Sequence, residues 1–348
     1  MTRRTLLRAG AVTVAGPPWH SRSGAGPYGP LRPPEASGLA LPDGFTGRLV
    51  ARTGRKVAGL TWHPTPAAGA CFPDGDGWIH VSNSAVPFVG GASALRFDAR
   101  GTVQDAYRVL SGTGPNHAGA ATPWQTWLSC ERGPRGLVHE CDPYGARAAR
   151  PRLALGRFSH GSVACDPVHQ VVYLTEDEPD GCLYRFRPRD WGDLTEGVLE
   201  VLTVADGWRE VPCPAATATA ARHQVPGALR LDRAEGCHTR DGLLVFATAG
   251  QVWAYDGGSG APARDVLPPE DLFMAAGTEI DVVSGGAVVP FLRLTGHDES
   301  TLTGPAFSPD GSRLYFSSQR GRSGTGTDGH TFEVTGPFRV QRVMRGSA

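Results

Sequence analysis

Five stretches of the chain repeat one layout, in which two short apolar strands are joined by a turn containing Asp, Gly or Pro. They read AGACFPDGDGWIHVSNSA (residues 68–85), HAGAATPWQTWLSCER (117–132), HGSVACDPVHQVVYLTED (160–177), EGCHTRDGLLVFATAG (235–250) and TGPAFSPDGSRLYFSSQRG (303–321). Runs of β-branched and aromatic residues bounded by such turns are typical of hairpins rather than helices. The turns recur about 43 to 73 residues apart, which brackets one four-stranded propeller blade with variable insertions.

The repeat predicts an all-β fold, a six-bladed β-propeller that occupies residues 39–345 as a single domain. Five blades are visible in the repeat. A sixth is placed at residues 266–293, where the first half of the layout is missing, so this blade is expected to be shortened or incomplete. The alternative is a large β-sandwich whose Asp-Gly turns recur by accident. In a propeller, the large side chains of the inner and middle strands should be buried: Trp124, Trp127, Leu128, Tyr173, Leu174, Phe307 and Tyr315.

The composition agrees with many short strands and excludes several functions. Gly (47) and Pro (29) together make up about a fifth of the chain. The formal net charge is zero, with 34 basic and 34 acidic residues, which argues against the concentrated basic face that nucleic-acid or membrane-surface binding needs. We expect a monomer with no transmembrane segment. Seven scattered cysteines form no C-x-x-C pair, and their odd number leaves at least one free thiol.

The N-terminus begins like an export signal. Arg3 and Arg4 followed by two leucines are typical of a twin-arginine signal, and a short apolar stretch follows. Residues 1–38 are therefore predicted to be a signal and flexible leader, with a disordered basic tail as the alternative. The protein is expected in the periplasm or outside the cell if the signal works, and in the cytoplasm otherwise.

Equivalent positions of the repeat should converge around the propeller channel, where the inner strands end. One set precedes the inner hairpins: His117, His160, Glu235 and Thr303. Another set follows them: Asn83, Cys130, Glu131, Glu176, Asp177 and Gln319. Carboxylates suit hard cations such as calcium and imidazoles suit transition metals, so this composition indicates a shared metal site. For each residue alone, a polar contact or a turn cap is the alternative explanation.

Several of these segments resemble the PhoX family of alkaline phosphatases. TPWQTWLSCE (residues 122–131) is similar to the family's Thr-Pro-Trp-Gly-Thr-Trp-Leu-Thr-Cys-Glu-Glu, and LGRFSH (155–160), VYLTED (172–177) and TGPAFSPDG (303–311) match further blocks. The resemblance spans about residues 40–340. It implies a six-bladed propeller whose calcium- and iron-containing centre hydrolyses phosphate monoesters. It also implies candidate metal ligands in this chain: Glu131, Glu176, Asp177, Glu235, Glu299 and His117. His160 or His117 would be the catalytic proton carrier.

Four departures from the family pattern predict a weakened centre. Ala85 stands where relatives usually have Glu, His117 replaces a cysteine, Arg132 replaces the second Glu of Cys-Glu-Glu, and Gly161 replaces the Glu of a His-Glu pair. Loss of anionic ligands and the arrival of a cation both lower the affinity of a site for metal ions.

Three functions remain open on the sequence. The first is a PhoX-like phosphatase whose activity is weakened by the lost ligands. The second is a catalytically inactive propeller that binds a ligand or a protein. The third, a lactonase- or phytase-like hydrolase built on one calcium, depends on fold analogy alone.

Overall fold

The chain folds into six small β-sheets arranged as the blades of one ring. The structure is a computed structural model that describes residues 10–13, 26–249, 251–257, 262–264, 271–284 and 287–339. The predicted all-β, six-bladed propeller is confirmed. The sandwich alternative is wrong, because the sheets follow one another around a channel instead of stacking as two layers. Arg3 and Arg4 lie outside the described residues.

The first three blades follow the order of the chain, and each starts with its innermost strand. Blade 1 consists of Pro66–Asp74, Gly77–Ser84, Gly90–Phe97 and Val103–Thr113. Blade 2 consists of Asn116–Ala121, Trp127–Glu131, Val138–Cys141 and Arg150–Pro151. Blade 3 has five strands, which are His160–Asp166, Val171–Glu176, Leu183–Pro188, Gly197–Leu202 and Trp208–Glu210.

The last three blades combine segments from both ends of the chain. Blade 4 consists of Glu235–Arg240, Leu243–Thr248, Gln251–Asp256 and Pro262–Arg264. Blade 5 consists, from the channel outward, of Gly10–Thr13, Leu272–Ala276, Glu279–Ser284, Ala287–Leu294 and Leu39–Ala40. Blade 6 consists of Leu302–Phe307, Arg313–Ser318, His330–Thr335 and Thr46–Arg52. The remaining short elements are the hairpin Lys56–Val57 with Leu60–Thr61 and the 3-10 turns Leu153–Leu155, Ala221–His223 and Gly326–Asp328. No helix in these described stretches has the length and apolar character to cross a bilayer.

The ring is closed by strands from near the N-terminus. Thr46–Arg52 pairs antiparallel with His330–Thr335 and so completes blade 6. The sixth predicted blade is blade 5 of the structure, with Leu272–Ala276 as its second strand, and it is complete rather than shortened. Gly10–Thr13 adds a parallel strand on its channel side, and Leu39–Ala40 adds an outer one. Such additions come from distant parts of the chain, so a local repeat pattern could not show them.

Most of the large side chains predicted to be buried lie in the core of the propeller. Trp127, Leu128, Tyr173, Leu174, Phe307 and Tyr315 are buried as predicted. Trp124 is a correction: it is half-buried, because it belongs to the turn between two strands of blade 2, where its ring packs edge-on against Trp191. All seven cysteines lie among the described residues, and six of them are buried.

A β-bulge near the start of the inner strand shapes the channel in at least five blades. The strand register shifts between Asn116 and Ala118 in blade 2, and equivalent shifts occur in blades 1, 3, 4 and 6. A bulge leaves one residue unpaired and turns it away from the regular alternation of faces. In blade 2 that residue is His117, whereas in blade 3 it is Gly161.

Candidate functional site

The bulges of the inner strands surround a small cavity in the channel, of about 50 Å³. Its ionisable lining comes from His117, Glu235 and Cys237, and glycines at the bulges leave the space open. A cavity of this size has room for a few water-sized groups.

Three charged side chains from three blades meet beside this cavity. The Arg132 Nε atom lies 2.8 Å from Asp177 Oδ2, and the Arg132 Nη2 atom contacts Glu235 Oε1 closely. Arg132 follows the second strand of blade 2, Asp177 follows the second strand of blade 3, and Glu235 begins blade 4. The exposed fraction of the side chain is 33% for Arg132, 7% for Asp177 and 9% for Glu235. One guanidinium therefore binds both buried carboxylates.

The two carboxylates need a nearby cation because they are buried close to each other. Burial raises the pKa of Glu235 to about 7, Arg132 acts to lower it, and the charge of Asp177 raises it further. A second arginine, Arg233, places its Nη1 atom 3.6 Å from Asp177 Oδ1 at a more exposed position. We call the cluster of Arg132, Asp177 and Glu235 the arginine-bridged site.

Glu176 lies beside Asp177 in sequence but has different neighbours. It is fully buried, with Oε1 2.9 Å from Arg222 Nη1 and Oε2 accepting a 2.8 Å hydrogen bond from Tyr184. Burial raises its pKa, and the contacts with Tyr184 and Arg222 oppose that rise. Both oxygens are thus used inside blade 3 and its following loop.

Glu131 and Glu299 also lie outside the bridged cluster. The two Glu131 oxygens accept hydrogen bonds from the backbone N–H groups of Gly114 and Leu137, at 2.7 and 2.9 Å. Glu299 is exposed in the connection into blade 6, next to Gly324.

The two candidate histidines have different environments. His117 is half-buried at the cavity, and burial together with the charge of Arg132 lowers its pKa to about 3. His160 is fully buried, and its ring packs against Phe158 with 4.0 Å between ring centroids. Burial lowers the pKa of His160 to about 3 as well. Both imidazoles are therefore neutral near pH 7, and only His117 borders the cavity.

Strand pairing corrects the predicted equivalence of these residues by one position. Asn116 pairs with Glu131 as His160 pairs with Glu176, so His160 corresponds to Asn116, and His117 corresponds to the bulge residue Gly161. Successive side chains of a strand point to opposite faces, so a slip of one residue reverses the predicted direction. Of the predicted site residues, the structure brings together His117, Asp177 and Glu235.

The donors present do not fit a calcium or iron centre in this arrangement. Calcium takes six to eight oxygen ligands, whereas Asp177 and Glu235 each have one carboxylate oxygen bound by Arg132. Within the described part of the chain, no three His, Cys, Asp or Glu side chains converge as a metal-binding group.

Sequence reasoning missed Arg222 and Arg233 as partners of the acidic residues. Both lie in the long connection between Trp208–Glu210 of blade 3 and the start of blade 4. That connection has no counterpart in the repeat, so no periodic signal marked them. Tyr184, by contrast, lies in Leu183–Pro188, the strand that follows the third repeat segment, and could have been proposed as a donor to Glu176.

Residues 89–241 match the family model described as alkaline phosphatase PhoX, which confirms the resemblance over that part of the chain. The fold is similar to that of Pseudomonas fluorescens PhoX in complex with vanadate, a transition state analogue. The TM-score is 0.67 and the identity 14%, over 86% of this chain and 96% of that one. At this identity the likeness shows the fold alone.

A gluconolactonase from Xanthomonas campestris is a weaker structural match. Its TM-score is 0.48 at 13% identity, over 90% of this chain and 99% of that one, which is too low to indicate function. No curated protein sequence matches the chain.

Proposed function

From the match of residues 89–241 to the PhoX alkaline phosphatases, we propose a PhoX-like phosphatase-family protein whose hydrolysis of phosphate monoesters is weakened to near background. The observation that supports this most directly is the arginine-bridged site. Asp177 and Glu235, the two predicted carboxylate ligands beside the cavity, are both bound by Arg132.

Metal-assisted hydrolysis needs cations that polarise the phosphate and activate an oxygen nucleophile. A guanidinium does not lose its proton in proteins, so a metal ion would have to displace Arg132 rather than wait for it to become neutral. His117, a predicted proton carrier, is not tuned to neutral pH, because its pKa is lowered to about 3. Together these features favour very slow turnover of a small phosphate ester.

A second candidate, a catalytically inactive binding module, is favoured by the surface beside the channel. The loop after Gly77–Ser84 presents Phe88, 91% exposed, and Val89, 64% exposed. This loop lies at the same end of the blades as Arg132. Both follow the second strand of a blade, and that strand ends opposite the start of the inner strand. An exposed aromatic beside an exposed valine is suited to contact an apolar group of a ligand or protein.

Turnover tests whether this site is an active metal centre. Purified protein is assayed with an aryl phosphate monoester in the presence of calcium and iron, beside Glu235→Gln as a control. We expect the same near-background rate from both proteins. A metal-dependent rate that Glu235→Gln abolishes would contradict the proposal and establish an active centre at this site.

We also propose export through the twin-arginine pattern at Arg3 and Arg4. Cell fractionation of the full-length protein should find it outside the cytoplasm. Replacing both arginines with lysine should retain it in the cytoplasm, and an unchanged distribution would contradict export by this route.

A further inference from the structure

The arginine-bridged site joins three consecutive blades. Arg132, Asp177 and Glu235 come from blades 2, 3 and 4, and the backbone at Arg132 and at Asp177 is fixed to the inner strand region of its own blade. The Arg132 backbone N–H donates to the Pro115 carbonyl at 2.9 Å, and the Asp177 N–H donates to the Ser159 carbonyl at 2.9 Å. The guanidinium is therefore held at a fixed position between the two carboxylates.

The position of this guanidinium is the one that a small bridging cation would take. It contacts one oxygen of each carboxylate, and both acidic side chains are at least nine-tenths buried. Two buried carboxylates close together repel each other unless a positive charge lies between them. Arg233 contacts only Asp177, at 3.6 Å, and its side chain is 53% exposed, so Arg132 carries most of this function.

We propose that Arg132 is the resident cation of this site: its guanidinium takes the place of a divalent metal ion between Asp177 and Glu235 and holds blades 2, 3 and 4 together. The proposal concerns the same site as the proposed function, but it makes a claim about structure and cation binding that does not depend on turnover. The intact protein then needs no divalent cation for stability. Removal of the guanidinium leaves the Asp177 and Glu235 oxygens, next to the His117 imidazole, as ligands that a divalent cation can bind, with release of any proton held by Glu235.

The test uses melting temperatures of the full-length protein and its variants, with calcium or manganese as the probe. Arg132→Gln removes the charge and keeps most of the side-chain volume. Arg135→Gln is the matched control, since Arg135 lies in the same loop, is exposed and donates to the Ala216 carbonyl rather than to an acid. Arg132→Lys keeps the charge without the forked geometry.

We expect Arg132→Gln to melt roughly 5 °C or more below the intact protein, with Arg135→Gln nearly unchanged and Arg132→Lys between them. About 10 mM calcium or manganese should raise the melting temperature of Arg132→Gln by roughly 3 °C. This is the stabilisation expected when a cation binds the folded protein alone with a Kd of about 1 mM. The double variant Arg132→Gln with Glu235→Gln should not respond. The intact protein should respond neither to the cations nor to a chelator.

Two results would overturn the proposal. One is an intact protein that is stabilised by calcium or manganese through a response that Glu235→Gln removes. The other is an Arg132→Gln variant as stable as the Arg135→Gln control. If Arg132→Gln folds only when a divalent cation is present, the proposal is supported. Because the readout is stability, metal-dependent turnover could contradict the proposed function while leaving this inference intact.

Discussion

Asp281 gives the propeller a predictable dependence on pH. Its strand, Glu279–Ser284, lies in the middle of blade 5, where Met274 and Pro290 are opposite it. The residue is 1% exposed, and neither carboxylate oxygen has a hydrogen-bond partner among the described residues. Burial raises the pKa of Asp281 from 3.8 to about 7, the charge of Glu279 adds to the rise, and Arg293 opposes it.

The sign of the effect follows from this raised pKa. The folded protein holds the proton more tightly than the unfolded chain does, so ionisation of Asp281 destabilises the fold. The penalty is absent below the unfolded pKa of 3.8, grows as the pH rises, and is complete above about 7. A shift of roughly three pKa units at about 1.4 kcal/mol each gives an upper limit near 4 kcal/mol.

Asp281→Asn should therefore stabilise the protein at alkaline pH only. Urea unfolding at about pH 4 should give similar free energies of unfolding for the two proteins. At about pH 8 the variant should be more stable by roughly 2 to 4 kcal/mol. Asp105→Asn, at an exposed position, is the matched control and should show no such difference between the two pH values. An Asp281→Asn effect of equal size at both pH values would refute the reasoning.

Three further substitutions test individual contacts. Trp127→Phe removes the 2.9 Å hydrogen bond from Nε1 to Asn83 Oδ1 and should lower the free energy of unfolding by about 1–3 kcal/mol; an unchanged urea midpoint would show that this bond is not needed. Arg222→Gln leaves the buried Glu176 carboxylate without its cation and should cost about 3–5 kcal/mol near neutral pH. That loss should shrink in acid, where Glu176 is protonated, so a loss independent of pH would contradict the ion pair. Gly161→Glu should destabilise the blade instead of restoring a metal ligand, because a Cβ atom there would lie 2.0 Å from a backbone carbonyl oxygen; a normal melting temperature would contradict this.

The repeat predicted most of the fold because each hairpin is encoded locally. Period-two apolar runs and Gly- or Asp-containing turns place strands such as Trp127–Glu131 and Val171–Glu176 correctly. The pairing of Thr46–Arg52 with His330–Thr335 joins residues nearly 300 positions apart, and no local pattern carries that information. Blade 5 was expected to be incomplete for the same reason, because its innermost strand, Gly10–Thr13, is distant in sequence from its other strands.

The site was predictable only in part, for reasons of side-chain direction. Asp177 and Glu235 meet near the channel, as the convergence of repeat positions suggested. His160 does not join them, since the bulge in blade 2 shifts the equivalence by one residue and His160 then packs against Phe158. The sequence indicated that Arg132 brings a positive charge into a site that should bind cations. Its contacts with both carboxylates depend on loop geometry, which the spacing of residues in the sequence does not reveal.

The metal content of the purified, full-length protein tests the central claim most directly. After incubation with calcium and iron and removal of unbound ions, elemental analysis should find well below one ion per chain, because Arg132 occupies the position between Asp177 and Glu235. Several ions bound per chain, and lost on Glu235→Gln, would contradict this account.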